Sequence, residues 1–464
     1  MNSTTGAQVH KLTDGSFLFC SPQGNILFGC PPEILKRILA QHLPMPDTVV
    51  VPRKLHHYHS SQASLEFPLY HFLFVQRGLE RGRSFQVVAS PSQCDGLEKL
   101  LRVTVVGPNV EEMTAAGTPE DIARDIYQET HFLSLKHPKT QVQYEIREMI
   151  NFFPLEPGQR CSVYPARGKL PEVLLQREGD AVFRVLFGEE SYELNLEVTE
   201  PQTPNYTIKH QPYDRAGGAF RFVVLGRSNG FDPRDPANGY VLNLNGRTVV
   251  WDCPAYLNLH LEKLKLDYKH VEAMVLSHVH EDHLDAVESL RDSPLELWAT
   301  PEVYYSLLVK LAALFECSLE EAKRYHRWRK IEIGKTHEIC GAHFEFFHSV
   351  HAIPAIGARI RCATGTRSGL LHISGDHLSH SALDGLYEGK GISEHRYNQM
   401  KSLLKGNEDL VLVDAGGGAI HGDYRDYLEN DRRIAFMHTG LIQEPLPDNM
   451  KLVESGEVLE VIAG

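Results

Sequence analysis

Apolar positions in the second half of the chain follow the period of strands. Residues 220–225 and 240–244 are apolar runs, and Gly246 turns into the β-branched run 248–251, so three strands are expected in succession. Thr300, Pro301 and Glu302 supply an N-cap with proline at the first helical position, and Ser318 with Glu321 has capping-box spacing. Helices are expected to start at both places. Strands alternating with helices predict an α/β layered fold. Pro201, Pro204, Pro212, Gly217 and Gly218 interrupt any regular period, which predicts a first lobe of residues 1–200, a linker over 201–217 and a second lobe of 218–464.

Length and composition agree with that division. At roughly 150 residues per domain, 464 residues make two or three domains, and 42% hydrophobic with 23% charged residues is globular composition. The 47 Lys+Arg against 60 Asp+Glu leave a formal charge of −13, which argues against a protein that grips long nucleic acid by its phosphates. No uncharged apolar run reaches the ~18 residues of a membrane span, and residues 1–11 lack the apolar core of a leader. A cytoplasmic protein with no membrane partner is expected. Eight scattered cysteines without a C-x-x-C pair read as reduced thiols.

Histidine changes the picture. Of 25, nine fall in the first 217 residues and sixteen between His260 and His438. His56, His57, His59, His260, His270 and His395 read as ordinary surface or core residues. Residues 275–284 differ: an apolar strand ends in His278, His280, Asp282 and His283, and residues 284–288 look like the start of a helix. Histidines at i and i+2 on a strand end point the same way and can grip one ion. Asp282 and His283 can reach a second ion a few ångströms off, the arrangement of a two-metal hydrolytic site. Imidazole mixed with carboxylate suits Zn²⁺, with Mn²⁺ or Fe as alternatives. The basic run 323–330 reads as a solvated helical face, or as a surface that steers an anionic substrate.

The pattern His278-x-His280-x-Asp282-His283 resembles the signature of the metallo-β-lactamase-fold hydrolases, and residues 348–357 are similar to the ribonuclease Z-like branch, which includes phosphodiesterases. The resemblance covers about residues 218–464 and implies an αββα sandwich. It implies His278, His280 and His351 on one ion, Asp282, His283 and His438 on the other, and Asp376 bridging both. His348 is the second choice beside His351. Asp252, at the end of strand 249–252, takes the place of an aspartate below the metals. His421, after the strand 411–414 and three glycines, is weighed as a proton donor or phosphate contact against an ordinary turn histidine. His377 follows the bridge and either orients it or is incidental. The bridging position is not cysteine, which separates the chain from antibiotic-hydrolysing zinc enzymes, and His280 stands where di-iron redox members usually carry glutamate.

The first lobe resembles a degenerate copy of the second. Residues 29–31 line up with 252–254, residues 90–97 with 277–284, residues 168–171 with 351–354, and Gly188 with Glu189 against Gly375 with Asp376. Residues 187–189 also resemble the start of a cyclic-nucleotide-binding cassette, but no arginine follows between Arg184 and Arg215.

The expectation is a dinuclear metal-dependent hydrolase with Asp282, Asp376 and His421 as catalytic residues. Its expected substrate is a small anionic phosphodiester, a nucleotide or one derived from RNA. A thioesterase or lactonase, a di-iron oxygen-binding or redox sensor, and an inert scaffold are the alternatives. Two like folds in one chain can mimic a dimer, which leaves a homo-oligomer open.

Overall fold

A computed structural model describes residues 6–57, 60–213, 220–285, 295–403, 405–439 and 442–462. The chain forms two compact units. One comprises Met1–Leu101, Tyr144–Asn205 and Val309–Leu319, the other Arg102–Gln143, Tyr206–Leu308 and Glu320–Gly464. Where the turn residues at 201–217 suggest a single cut, compactness assigns residues 102–143 to the second unit and 309–319 to the first.

In the first unit, β1 (Gln8–Thr13), β2 (Ser16–Cys20), β3 (Asn25–Phe28), β4 (Thr48–Val50), β7 (Phe85–Ala89) and β8 (Ile150–Pro154) form one sheet in that order. β5 (His56–His57) and β6 (Ser60–Ser61) make a separate small hairpin. β9 (Arg160–Tyr164), β10 (Val173–Arg177), β11 (Val182–Phe187) and β12 (Glu190–Asn195) form an antiparallel sheet. Alternating residues of both sheets, among them Phe19, Phe28, Phe183 and Phe187, share one core.

The second unit has two seven-stranded sheets. The first runs β13 (Phe220–Gly226), β14 (Gly239–Leu244), β15 (Arg247–Trp251), β16 (Val271–Val275), β17 (Glu296–Ala299) and β18 (Arg327–Lys330), with β26 (Val458–Ile462) beyond β13. The second runs β19 (Thr336–Ile339), β20 (Ala342–Ser349), β21 (Ala355–Thr364), β22 (Arg367–Ile373), β23 (Leu410–Asp414), β24 (Ile434–Met437) and β25 (Met450–Leu452). Their facing sides meet in one core that includes Phe222, Trp251, Phe346, Ile360 and Leu412. The helices His380–Glu388 and Glu394–Leu403 pack in their own cluster around Leu383, Leu386 and Met400. The expected strands over 220–225, 240–244 and 248–251 are β13, β14 and β15, and Pro301 opens the helix Pro301–Phe315.

The first unit repeats this strand plan. β1 to β3 are antiparallel neighbours and β4, β7 and β8 follow in parallel, as β13 to β15 and β16 to β18 do. Backbone bonds fix the register: Gly29 donates to Val50 as Asp252 donates to Val275, and Cys30 donates to Gln62 as Cys253 donates to His283. The match of residues 29–31 to 252–254 therefore holds, and Gly29 and Gln62 stand where Asp252 and His283 stand.

Three other expected matches are corrected. Ser90 follows β7 and opens the fifteen-residue helix Pro91–Val105, so it answers Thr300 before the fifteen-residue Pro301–Phe315, not Ser277. Both serines follow an apolar strand, and a local pattern cannot tell which strand. Gly168 and Gly188 lie in the β9–β10 and β11–β12 turns, like Gly341 and Gly365, so they do not answer residues 351–354 and 375–376. Residues 187–189 are an ordinary hairpin end, with Phe187 paired to Glu190.

The basic run is also corrected. The helix after Ser318 covers only Leu319–Ala322, and Arg327–Lys330 is the edge strand β18. Trp328 stacks on Tyr304 with centroids 4.2 Å apart, and Arg327 and Arg329 pair with Glu296. Charged side chains on an edge strand discourage pairing with a second chain. The expected helix start at residues 284–288 falls, beyond Asp285, outside the described residues. Among those described, no helix is long and apolar enough to cross a membrane, and no disulfide joins any of the eight cysteines.

Candidate metal centre

The centre is built where apolar strands of both sheets end. β15 stops at Trp251, and Asp252 turns left-handed at φ 64°, a conformation that side-chain-bearing residues hold only when their surroundings compensate the strain. Its buried carboxylate accepts from the backbone and hydroxyl of Ser277 at 2.7 and 2.8 Å, and from Nδ1 of His283 at 2.7 Å. The loop after β16 is thereby wrapped around one aspartate, and the outer nitrogen of His283 is turned away from it.

His278, His280 and His351 converge. Nδ1 of His280 lies 3.2 Å from Nε2 of His278 and 3.1 Å from Nε2 of His351. The carbonyl of Thr104 faces Nε2 of His280 at 3.0 Å, and the carbonyl of Ile420 faces Nδ1 of His351 at 3.0 Å. A carbonyl only accepts, so these two rings carry their protons on the far nitrogens and point bare lone pairs at each other. Lone pairs at this distance repel unless a cation sits among them. Burial, with neighbouring imidazoles adding to it, pushes His278 and His280 well below the usual histidine range, and burial brings His351 down to about 4. All three are neutral, as ligands must be.

Asp282, His283 and His438 form the second group. Nε2 of His438 is 3.0 Å from Asp282. Burial alone would lower His438, but Asp376 and Asp282 carry it up to about 9. Between the groups stands Asp376, at 3.3 Å from His283, 3.4 Å from His438 and 3.8 Å from both His278 and His351. Both its oxygens, and Nε2 of His283, are buried without a hydrogen-bond partner. Such orphaned atoms are costly unless something unseen satisfies them. The donor set fits divalent ions: ligands held at ~2.0–2.1 Å in a tetrahedron sit about 3.3 Å apart, close to the separations here.

All seven residues expected as ligands therefore come together. His421 joins them at the edge, the most exposed of the centre's histidines, with Nδ1 2.8 Å from Asp414 and 3.6 Å from Asp376. His348 does not join: its Nε2 pairs with Glu302 at 2.8 Å. His377 is not aimed at the bridge, since its Nδ1 accepts from the backbone of Val350. Sequence reasoning missed Asp414, although it ends the wholly buried strand β23 as Asp252 ends β15. It also missed Thr104, which acts through a backbone carbonyl 176 positions from its partner and leaves no side-chain signal. Of the three glycines, Gly416 has a steric reason, since a Cβ there would lie 2.9 Å from Nδ1 of His438 and 3.0 Å from the His421 ring, whereas Gly417 and Gly418 turn left-handed at φ 70° and 74°.

Two facing mixed sheets with helices outside them and this set at the strand ends are the metallo-β-lactamase fold, as expected. The chain is similar to several known proteins. The family model for "Anti-Pycsar protein Apyc1" matches residues 220–378. The "cGMP-dependent 3',5'-cGMP phosphodiesterase A" of Dictyostelium discoideum is 30% identical over 246 residues, 51% of this chain and 28% of that protein. The "cAMP/cGMP-dependent 3',5'-cAMP/cGMP phosphodiesterase B" of the same organism is 28% identical over 220 residues, 45% of this chain and 19% of that protein. The matched stretch is thus less than a third of either relative. Among solved structures, a diphosphatase from the PhnP family gives a TM-score of 0.38 at 16% identity, over 52% of this chain and 96% of that one.

Proposed function

We propose that the chain is a dinuclear metal-dependent phosphodiesterase that opens the phosphodiester ring of a 3',5'-cyclic nucleotide. The observation that carries the reading is Asp376, whose two unpartnered oxygens face imidazoles of both ligand groups. The substrate class rests on the names of the two phosphodiesterase relatives.

In this reading His278, His280 and His351 hold one ion, Asp282, His283 and His438 the other, and Asp376 lies between. Zinc suits the set best. Bound ions supply positive charge for the attacked phosphate and ionise a water at neutral pH. Asp282 and Asp376 would hold the ions beside the attacked phosphate. Asp414 holds the Nδ1–H of His421, which leaves Nε2 to take up a proton from the attacking water and pass it to the leaving ester oxygen as its bond to phosphorus breaks. Asp252 keeps His283 turned toward the site.

The test is turnover of cyclic GMP and cyclic AMP by the zinc- or manganese-loaded protein, beside a chromogenic phosphodiester and a thioester. The expected product is the nucleoside monophosphate, with no turnover by the Asp376→Ala variant. Hydrolysis of the thioester alone would overturn the reading.

A further inference from the structure

We infer that the end of the helix Pro91–Val105 is a positioning strut for the first ligand group, with the backbone carbonyl of Thr104 selecting which nitrogen His280 offers. The inference deepens the metal-dependent reading and rests on it. Thr104 lies in the last turn of that helix, where carbonyls have no intrahelical donor. Four positions on stands Pro108, which has no N–H, and Gly107 turns left-handed at φ 86°, so the helix cannot continue and no i+4 amide claims the Thr104 carbonyl. It is taken by Nε2 of His280 at 3.0 Å. Nδ1 is then the only bare nitrogen of His280, and it faces both His278 and His351.

The same stretch is tied down near the other ligands. Gly107 lies beside Ile353 and Pro354, two and three residues past His351, so that a Cβ added to it would come within 3.5 Å of Pro354 and 3.8 Å of Ile353. Further along, Glu129 makes a two-bonded buried pair with Arg396 at 2.9 and 3.1 Å, and Arg396 also donates to the carbonyl of His348. Residues 102–143 group with the second unit, and these are among the contacts they make to its ligand-bearing loops. An outer partner that sets the tautomer of a ligating histidine tunes its affinity by about 10–100-fold.

The test uses the full chain labelled with ¹⁵N-histidine. In metal-free wild type, His280 is expected as the Nε2–H tautomer. A Gly107→Ala/Pro108→Ala variant removes both stop signals and supplies an N–H that competes for the Thr104 carbonyl. It is expected to shift His280 toward mixed tautomers and to weaken one of two zinc sites about 10–100-fold in chelator competition, with the other site kept. Glu129→Gln, which loosens the anchor, should give a smaller change of the same kind. An unchanged tautomer and unchanged zinc affinity in a folded double variant would overturn the strut. So would an Nδ1–H His280 in wild type, which decides the matter even where the variant fails to fold. Wild type that takes up no metal at all would instead overturn the functional reading.

Discussion

Asp414 accepts from Nδ1 of His421 at 2.8 Å, and the other oxygen of the same carboxylate lies 3.8 Å from Nδ1 of His438. One aspartate thus faces both the edge histidine and a ligand histidine, and it is itself held by the backbone N–H groups of Gly416 and His377. Replacing Asp414 by Asn keeps the shape but puts an amide where an acceptor is needed. Turnover of a phosphodiester with a poor leaving group should fall by roughly 10²–10⁴. A substrate whose leaving group needs no proton should be spared most of that loss. Equal losses on the two substrates would contradict proton delivery by His421.

Gly416 has no room for a side chain. A Cβ there would press on His438, His421 and Asp414 together. Gly416→Ala is expected to lower turnover sharply while thermal stability changes by only about 1–3 kcal/mol, the usual range for overpacking. Its φ is not in the left-handed region, so backbone strain does not confuse the result. Unaltered turnover would show that the loop yields freely.

Removing metal should destabilise the second unit in particular. The bare lone pairs of His280 and His351 and the orphaned oxygens of Asp376 stay buried whether or not a cation offsets them. Chelation is expected to lower the melting temperature, and zinc to restore it in proportion to its concentration. Asp376→Ala should remove most of that metal-dependent stabilisation. The same melting curve with and without chelator would count against a metal centre.

Glu302 predicts an acid limb. Burial alone would raise its carboxyl, but the facing His348, with a hydrogen bond from Thr118, brings it from 4.5 down to about 2. A depressed folded value means stability that is present above the unfolded pKa and lost as pH falls through the folded one. The window is therefore from about 4.5 down to about 2. Such a shift corresponds to roughly 3 kcal/mol at neutral pH. Glu302→Gln should be less stable by an amount of that order at pH 7 and show a flatter loss across the window. Denaturant melts at pH 7, 4.5 and 3 measure it, and parallel curves for the two proteins would refute it.

Much of the centre was readable before any coordinates. Four ligand-type residues fall within positions 278–283 after an apolar strand, and His351, Asp376 and His438 each follow another. That legibility has a physical source: side chains alternate along a strand, so an apolar run marks the buried strand and the polar residues at its end mark the mouth of the sandwich. Asp414 obeys the same rule at the end of its own buried strand.

Tertiary structure decided the rest. The register of the first unit, in which Gln62 corresponds to His283, rests on backbone bonds that a local pattern of apolar strand and serine does not reveal. The basic run became an edge strand because Glu296 on the neighbouring strand paired with Arg329 and Tyr304 on the helix Pro301–Phe315 stacked on Trp328, which no local period records. Which nitrogen His280 and His351 present was settled by the carbonyls of Thr104 and Ile420. Every residue has a carbonyl, so composition and spacing carry no trace of the few that the folded chain brings against a histidine.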